Sequence, residues 1–227
     1  MSRARADNLR HCTTGKIIGS GKAEIRAKNT RRIIAAAEEV FAEKGFGGAT
    51  TQAIADRADL PKANLHYYFP TKEELYTRVL ADILEEWIAD AEIFDISQDP
   101  EVVFRAYISR KMEHSFTRPY ASKLWAMEII GRGRVFDSKL KTPFLKWNRK
   151  KVAQLRRWIR EGKLAPVDPQ YLMFSIWATT QHYADFEYQI QAINSGKRLS
   201  PQQQQDATES VIEMFLRGVM PRSARPE

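Results

Sequence analysis

A chain of 227 residues with 43% hydrophobic and 28% charged residues has room for a real core and is too apolar to stay unfolded, which excludes a peptide-sized or mainly disordered module. The net charge of +8 sits almost wholly in residues 1–32, where nine Lys/Arg oppose Asp7 and Glu24 (9 − 2 = +7); this suits a polyanion, nucleic acid before an anionic membrane, or else a solvated tail. One cysteine, Cys12, excludes an intramolecular disulfide and, with only four His, a zinc site; no apolar run nears the about 18 residues a bilayer needs and no signal stretch is present, so a cytoplasmic chain without membrane partner, metal or cofactor is expected.

Residues 1–22 carry Gly15, Gly19 and Gly21 among Ser, Thr and basic residues without an apolar period, and read as a disordered basic arm. Order is expected from Ala23. Ile33, Ile34, Ala37, Val40 and Phe41 then recur at three- and four-residue steps and predict a helix that Gly45 stops. A threonine at Thr50 or Thr51 caps a second, short helix with Ile54, Ala55 and Ala58 facing inward. After the break Asp59-Leu60-Pro61, residues 62–69 predict a third helix, stopped by Pro70. Thr71 and Glu74 have capping-box spacing and start a fourth, about 72–94. Five more follow at about 101–116, 120–130, 143–161, 169–193 and 201–218, punctuated by Pro and Gly. Strand signals are nearly absent, so the fold expected is all-α, with a head over 23–70 and a body over 71–227. The Gln202–Gln205 run reads as a solvated face.

Two short helices across a tight break, the second rich in Lys, Asn, His and Tyr, are what a helix-turn-helix needs to put a probe into the major groove. Lys62 brings a cation to the helix start, with Ala63 beside it. Asn64 can pair in bidentate fashion with adenine, and His66 and Tyr67 can reach base edges or phosphates. Thr51, Gln52 and Lys72 open the flanking helices, whose first N–H groups attract phosphate. By spacing alone a plain helical hairpin fits too; the basic arm upstream favours DNA.

Across residues 24–80, Phe41, Gly45, Thr50-Thr51, Ile54-Ala55, Ala58, Leu65, Tyr67-Tyr68-Phe69-Pro70, Lys72, Glu74 and Leu75 resemble the DNA-binding head of the tetracycline-repressor (TetR) family. The resemblance implies a homodimer whose heads read half-sites of a pseudo-palindromic double-stranded operator. It further implies bodies joined through the last two helices and heads spread apart by a small effector. Three positions depart from the family pattern: Asp59 stands for the usual Gly of the turn, Pro61 for the usual Ser cap, and His66 for the usual Tyr.

The stretches 162–170 and 177–186, with Ala121-Ser122-Lys123-Leu124 and Met127-Glu128, are similar to the pyrimidine-utilisation repressors within that family, which implies uracil or thymine as effector and control of pyrimidine catabolism. The residues themselves leave two readings open. Trp177, Gln181, Asp185, Ala178 and His182 share a broad helical arc where an aromatic plate, an amide and a carboxylate could hold a flat heterocycle. The same arc suits a dimer interface whose buried polar groups satisfy one another. Trp87 joins the effector candidates; Tyr107, Trp125 and Trp158 read as core or cavity wall, Glu128 as a solvated charge, and His114 receives no role.

An enzyme is the first rival, but no phosphate loop, metal spacing or nucleophile turn is present, and Glu38-Glu39 and Glu73-Glu74 read as exposed charge. The remaining alternatives are a TetR-like regulator of unrelated small-molecule metabolism and a helical scaffold without specific DNA binding.

Overall fold

The computed structural model describes residues 18–221, and every regular element among them is helical. The head comprises α1 (Ile18–Gly48), α2 (Thr51–Arg57) and α3 (Lys62–Tyr68), followed by the connecting helix α4 (Lys72–Asp90). The body comprises α5 (Ile93–Ile96), α6 (Pro100–Thr117), α7 (Pro119–Ile130), a π-helical turn (Phe136–Leu140), α8 (Lys141–Arg160), α9 (Pro169–Asp185), α10 (Glu187–Ile193) and α11 (Pro201–Val219).

The caps explain most boundaries. Thr50 Oγ1 accepts from Ala53 N–H at 3.1 Å to start α2, and Thr71 Oγ1 accepts from Glu74 N–H at 3.1 Å to start α4. Gly45 takes φ 67° and breaks α1 where the stripe of Ile33, Ala37, Val40 and Phe41 ends. Before α11, Ser200 and Gln203 make a reciprocal capping box, so Gln203 in the glutamine run has a structural role rather than being a solvated face alone.

Four boundaries differ from the sequence expectation. Helix α1 begins at Ile18, so residues 18–22 are helical rather than part of a disordered arm: they continue the winding of the helix that follows, despite Gly19 and Gly21. The rest of the expected arm, residues 1–17, lies outside the described residues. Helix α4 ends at Asp90, because the turn into α5 drives Phe94 into the core, where it stacks on Trp158 at 6.0 Å. The predicted helix 169–193 breaks at Phe186, flanked by two ties to α7: Asp185 to Ser122 and Glu187 to Lys123. The π-helical turn fills an expected loop. It is held by Glu128, whose Oε1 accepts from Phe136 N–H at 2.9 Å and whose carboxyl lies 2.0 Å from where a Cβ at Gly133 would sit, so a side chain there would push the carboxyl out of this bond.

Two apolar cores result. One joins α1, α2, α3 and α4 to Ala121, Leu124 and Trp125 of α7; the other joins α5, α6, α8, α9 and α11 around Phe94, Tyr107 and Trp158. The head therefore shares its core with a body helix. Charge is also less even than the near-neutral total after Arg32 suggests. Helix α8 carries Lys141, Lys146, Arg149, Lys150, Lys151, Arg156, Arg157 and Arg160 with no acidic residue.

The turn before α3 holds Asp59 at φ 50°, in the left-handed region that glycine fills more easily. Arg32 of α1 compensates, donating from one guanidinium nitrogen to Asp59 O and Oδ2, both at 3.1 Å. Pro61 occupies the cap position itself with no side-chain cap bond. Asp59→Gly should leave stability within about 0.5 kcal/mol, whereas Asp59→Ala should lose about 1 kcal/mol in urea unfolding, since it keeps the strain and drops the Oδ2 bond. Equal stability of the two variants would contradict this account of the turn.

Candidate functional site

Helix α3 is seated by one face and bare on the other. Leu65 is fully buried, and Tyr68 and Phe69 pack partly buried on the head core. Lys62, Ala63, Asn64, His66 and Tyr67 are exposed, Tyr67 at 70%. A cation, an amide and an aromatic hydroxyl thus project from one short helix. Helix α1 buttresses it: the Arg26 guanidinium lies 5.9 Å from the Tyr67 ring centre, and Asn29 Nδ2 donates to the Tyr68 hydroxyl at 3.3 Å. Gln52 is exposed on α2 and donates to Asp56, while Thr51 is half-buried at the helix start. Lys72 departs from expectation. Its Nζ donates to Phe46 O at 2.8 Å and Ala49 O at 3.0 Å and lies over the Phe46 ring, so the side chain fastens α4 to the α1–α2 corner, and only the α4 backbone N–H groups remain for a phosphate.

In the body, α4, α6, α7, α8 and α9 enclose a cavity of about 60 Å³. Its wall is aromatic: Trp87, Trp125, Phe144, Trp147 and Trp177, with Trp147 stacked on Trp177 at 5.7 Å. Its polar groups are Tyr107, Lys111 and Gln181. Trp177 Nε1 donates to the Tyr107 hydroxyl at 3.0 Å. Lys111 is 4% exposed, its Nζ lies 3.8 Å from the Trp87 ring centre, and it has no hydrogen bond or ion pair among the described residues. Burial pulls its pKa down from 10.5 to about 8, against the opposing pull of Asp90, Asp185 and Glu86. A smaller, polar cavity adjoins, sharing Trp87, Lys111 and Gln181 and adding Glu86, His114, Arg118 and Ser122.

The expected effector arc therefore divides. Trp87, Trp177 and Gln181 line the cavity. Asp185 turns away to accept from Ser122 Oγ at 2.7 Å, and burial raises its pKa. His182 is exposed and stacks on Phe186 at 4.8 Å, and Ala178 is exposed as well; both lie outside the cavity because Gln181 takes the inward position of that turn. Lys111, Phe144 and Trp147 were not singled out from the sequence. For Lys111 the signal existed: it falls on the same α6 face as Tyr107 and Ser115, both buried.

The family profile described as "Bacterial regulatory proteins, tetR family" matches residues 33–79, and that described as "YcdC-like protein, C-terminal region" matches residues 80–222. The HTH-type transcriptional regulator RutR of Escherichia coli K12 is 36% identical over 212 residues, covering 92% of this chain and all of that one. The chain belongs to the TetR family. The ketosteroid transcriptional regulator KstR2 of Mycobacterium tuberculosis matches the fold with a TM-score of 0.65 at 21% identity, over 85% of this chain and 96% of the other. A TetR family regulator from Marinobacter aquaeolei gives 0.68 at 15% identity, over 88% and 100%. This TetR-family protein is a DNA-binding transcriptional regulator rather than an enzyme.

Head and cavity of this TetR-family chain meet at Arg118, between α6 and α7. Its Nε donates to Glu38 Oε1 and Oε2 of α1 at 3.1 and 3.0 Å, and its Nη1 donates to Glu86 of α4. Glu38 is thus buried, not exposed as its sequence context suggested; burial raises its pKa although Arg118 opposes this. His114, one turn earlier, pairs its Nε2 with Asp90 Oδ2 at 2.6 Å. Glu128 is likewise buried, accepting from the Tyr76 hydroxyl of α4 at 2.9 Å.

Lys111 makes stability depend on pH. Between about pH 8 and 10.5 the unfolded chain holds a proton on this lysine that the folded chain has lost, so stability rises with pH across that window; below it the buried ammonium costs about 3 kcal/mol. Lys111→Met should therefore unfold at higher temperature than the parent at pH 7, with an advantage that shrinks toward pH 10.5. A variant less stable at pH 7, or a gap that does not change with pH, would count against the unpaired ammonium.

Proposed function

We propose that the protein is a homodimeric repressor that leaves its operator when uracil or thymine enters the aromatic cavity. The observation that carries this reading is the cavity's position. It opens where Trp87 of the connecting helix meets Trp177 and Gln181 of α9, so a ligand there touches the same helix that carries the head. Its aromatic wall suits a flat heterocycle, and Gln181 offers a donor and an acceptor to a ring imide. The resemblance of 162–170 and 177–186 to pyrimidine-utilisation repressors supports the same effectors.

The dimer reading rests on a stripe of exposed residues on α9, Tyr171, Phe174, Ala178 and His182, continued by Phe186; on α11 Met214 is exposed as well. An apolar row of this kind on the last long helices suits a two-fold contact with the same face of a second copy. His182 falls on that face. In the head, Lys62, Asn64, His66 and Tyr67 serve as DNA contacts, with Thr51, Gln52 and the α4 N-terminus toward the flanking phosphates.

An effector shifts DNA binding only through its preference for the arrangement that does not bind; a 100-fold preference is worth about 2.7 kcal/mol per site. The test is a titration of the protein against its own promoter DNA with and without uracil or thymine. Operator affinity should fall with either ligand, and Asn64→Ala should lose about 1–3 kcal/mol at one base position and relax specificity there. Affinity unchanged by both ligands would reject the effector. Unchanged base preference in Asn64→Ala would reject Asn64 as a reader.

A further inference from the structure

The polar complement of the aromatic cavity is unbalanced toward donors. Lys111 brings three N–H bonds and has no acceptor among the described residues. Trp147, also in the wall, has its indole Nε1 buried without a partner. The Tyr107 hydroxyl accepts from Trp177, which leaves its own proton to give. Against these three stands one acceptor at the cavity, the Gln181 carbonyl, on a side chain that also carries two donors. The buried Trp147 Nε1 is costly without an acceptor, and such a donor marks a place where a ligand or ordered water completes the bonding.

The surrounding charge narrows the ligand further. Lys111 is faced by Asp90 and Glu86 from α4 and Asp185 from α9, with His114 and Arg118 nearby on its own side. Arg118 is committed to Glu38 and Glu86, and His114 to Asp90. The carboxylates lie close enough to raise the lysine pKa, so they oppose a second anion in so small a space. An uncharged oxygen meets no such opposition.

We infer that Lys111 is the residue that selects the effector: its ammonium, held over Trp87, hydrogen-bonds a carbonyl oxygen of an uncharged, acceptor-rich flat ring, which restricts the ligand to dioxo-pyrimidines and related cyclic imides. This rests on the reading of the cavity as a pyrimidine effector site and adds which atom of the ligand is read and by which residue. Ring acids such as orotate are excluded by the carboxylates. Replacing the contacted oxygen by sulfur, a poor acceptor, weakens the ligand only while Lys111 is present.

The experiment is calorimetric titration of the full-length protein and of Lys111→Met and Lys111→Gln with uracil, 2-thiouracil, 4-thiouracil and orotate. Wild type should bind uracil at least about ten-fold more tightly than one of the two thio analogues and than orotate. Lys111→Met should bind uracil at least about ten-fold more weakly than wild type and no longer distinguish it from that analogue; Lys111→Gln, which keeps a neutral donor, should fall between. The Met side chain is one atom shorter than lysine and removes a buried charge, so melting temperatures of both variants without ligand establish that they are folded. Uracil binding in a folded Lys111→Met within about two-fold of wild type, or a sulfur penalty that survives the substitution, overturns the role of Lys111 and leaves the pyrimidine reading standing. A wild type that binds none of the four compounds overturns both. Orotate bound as tightly as uracil overturns the restriction to uncharged rings.

Discussion

A single guanidinium ties this molecule together. Arg118 stands where α6 ends and α7 begins, and from there it grips Glu38 on the helix that buttresses the DNA-reading element and Glu86 on the helix that joins head to body. Glu38 is almost wholly removed from water, so its charge is tolerable only while Arg118 stays within bonding distance. Breaking such a pair leaves an uncompensated buried charge, typically at a cost of about 3–5 kcal/mol, which far exceeds what an exposed pair such as Arg110–Glu113 contributes. The placement of α7 is reinforced by apolar packing, since Ala121, Leu124 and Trp125 belong to the same core as Ile33, Val40 and Phe41. Any movement of α6 and α7 is therefore felt by α1 and α4 through both charge and shape.

The cavity lies next to this junction. Lys111 of α6 is two turns before Arg118, and Glu86 and Trp87 are neighbours on α4, so one side of α4 faces the cavity while the adjoining side faces the arginine. The wall is mostly aromatic, and beside it stands an ammonium that makes no hydrogen bond or ion pair among the described residues, with the carboxylates of Asp90, Asp185 and Glu86 in its surroundings. Head and cavity share helices rather than a flexible linker, which gives a ligand-dependent change a continuous route to α3.

Much of this was legible in the sequence. The long helices follow from apolar periodicity and from Thr, Asp, Pro and Gly at their ends, and the helix-turn-helix from the short polar helix after Asp59-Leu60-Pro61. Leu65 facing in and Asn64, His66 and Tyr67 facing out are consequences of helical spacing. What escaped was long-range pairing. Lys72 reads as a surface cation at a helix start, and nothing local shows that Phe46 and Ala49 offer it two carbonyls. Glu38 reads as exposed charge because its partner is 80 residues away. The broad arc divides, with Trp177 and Gln181 inward and His182 outward, because periodicity alone does not say which edge of a helix its neighbours cover. Phe144 and Trp147 were masked by the eight basic residues of α8 around them.

The claim on which the rest turns is that Arg118 transmits occupancy of the cavity to the head. It is tested most directly by the double variant Glu38→Leu with Arg118→Met, which removes the buried carboxylate together with its half-buried partner, measured for uracil affinity and for operator affinity with and without uracil. Uracil binding close to that of the parent, with most of its effect on operator affinity lost, is the expected result. A double variant that binds uracil and releases the operator as fully as the parent would show that head and cavity communicate by another route.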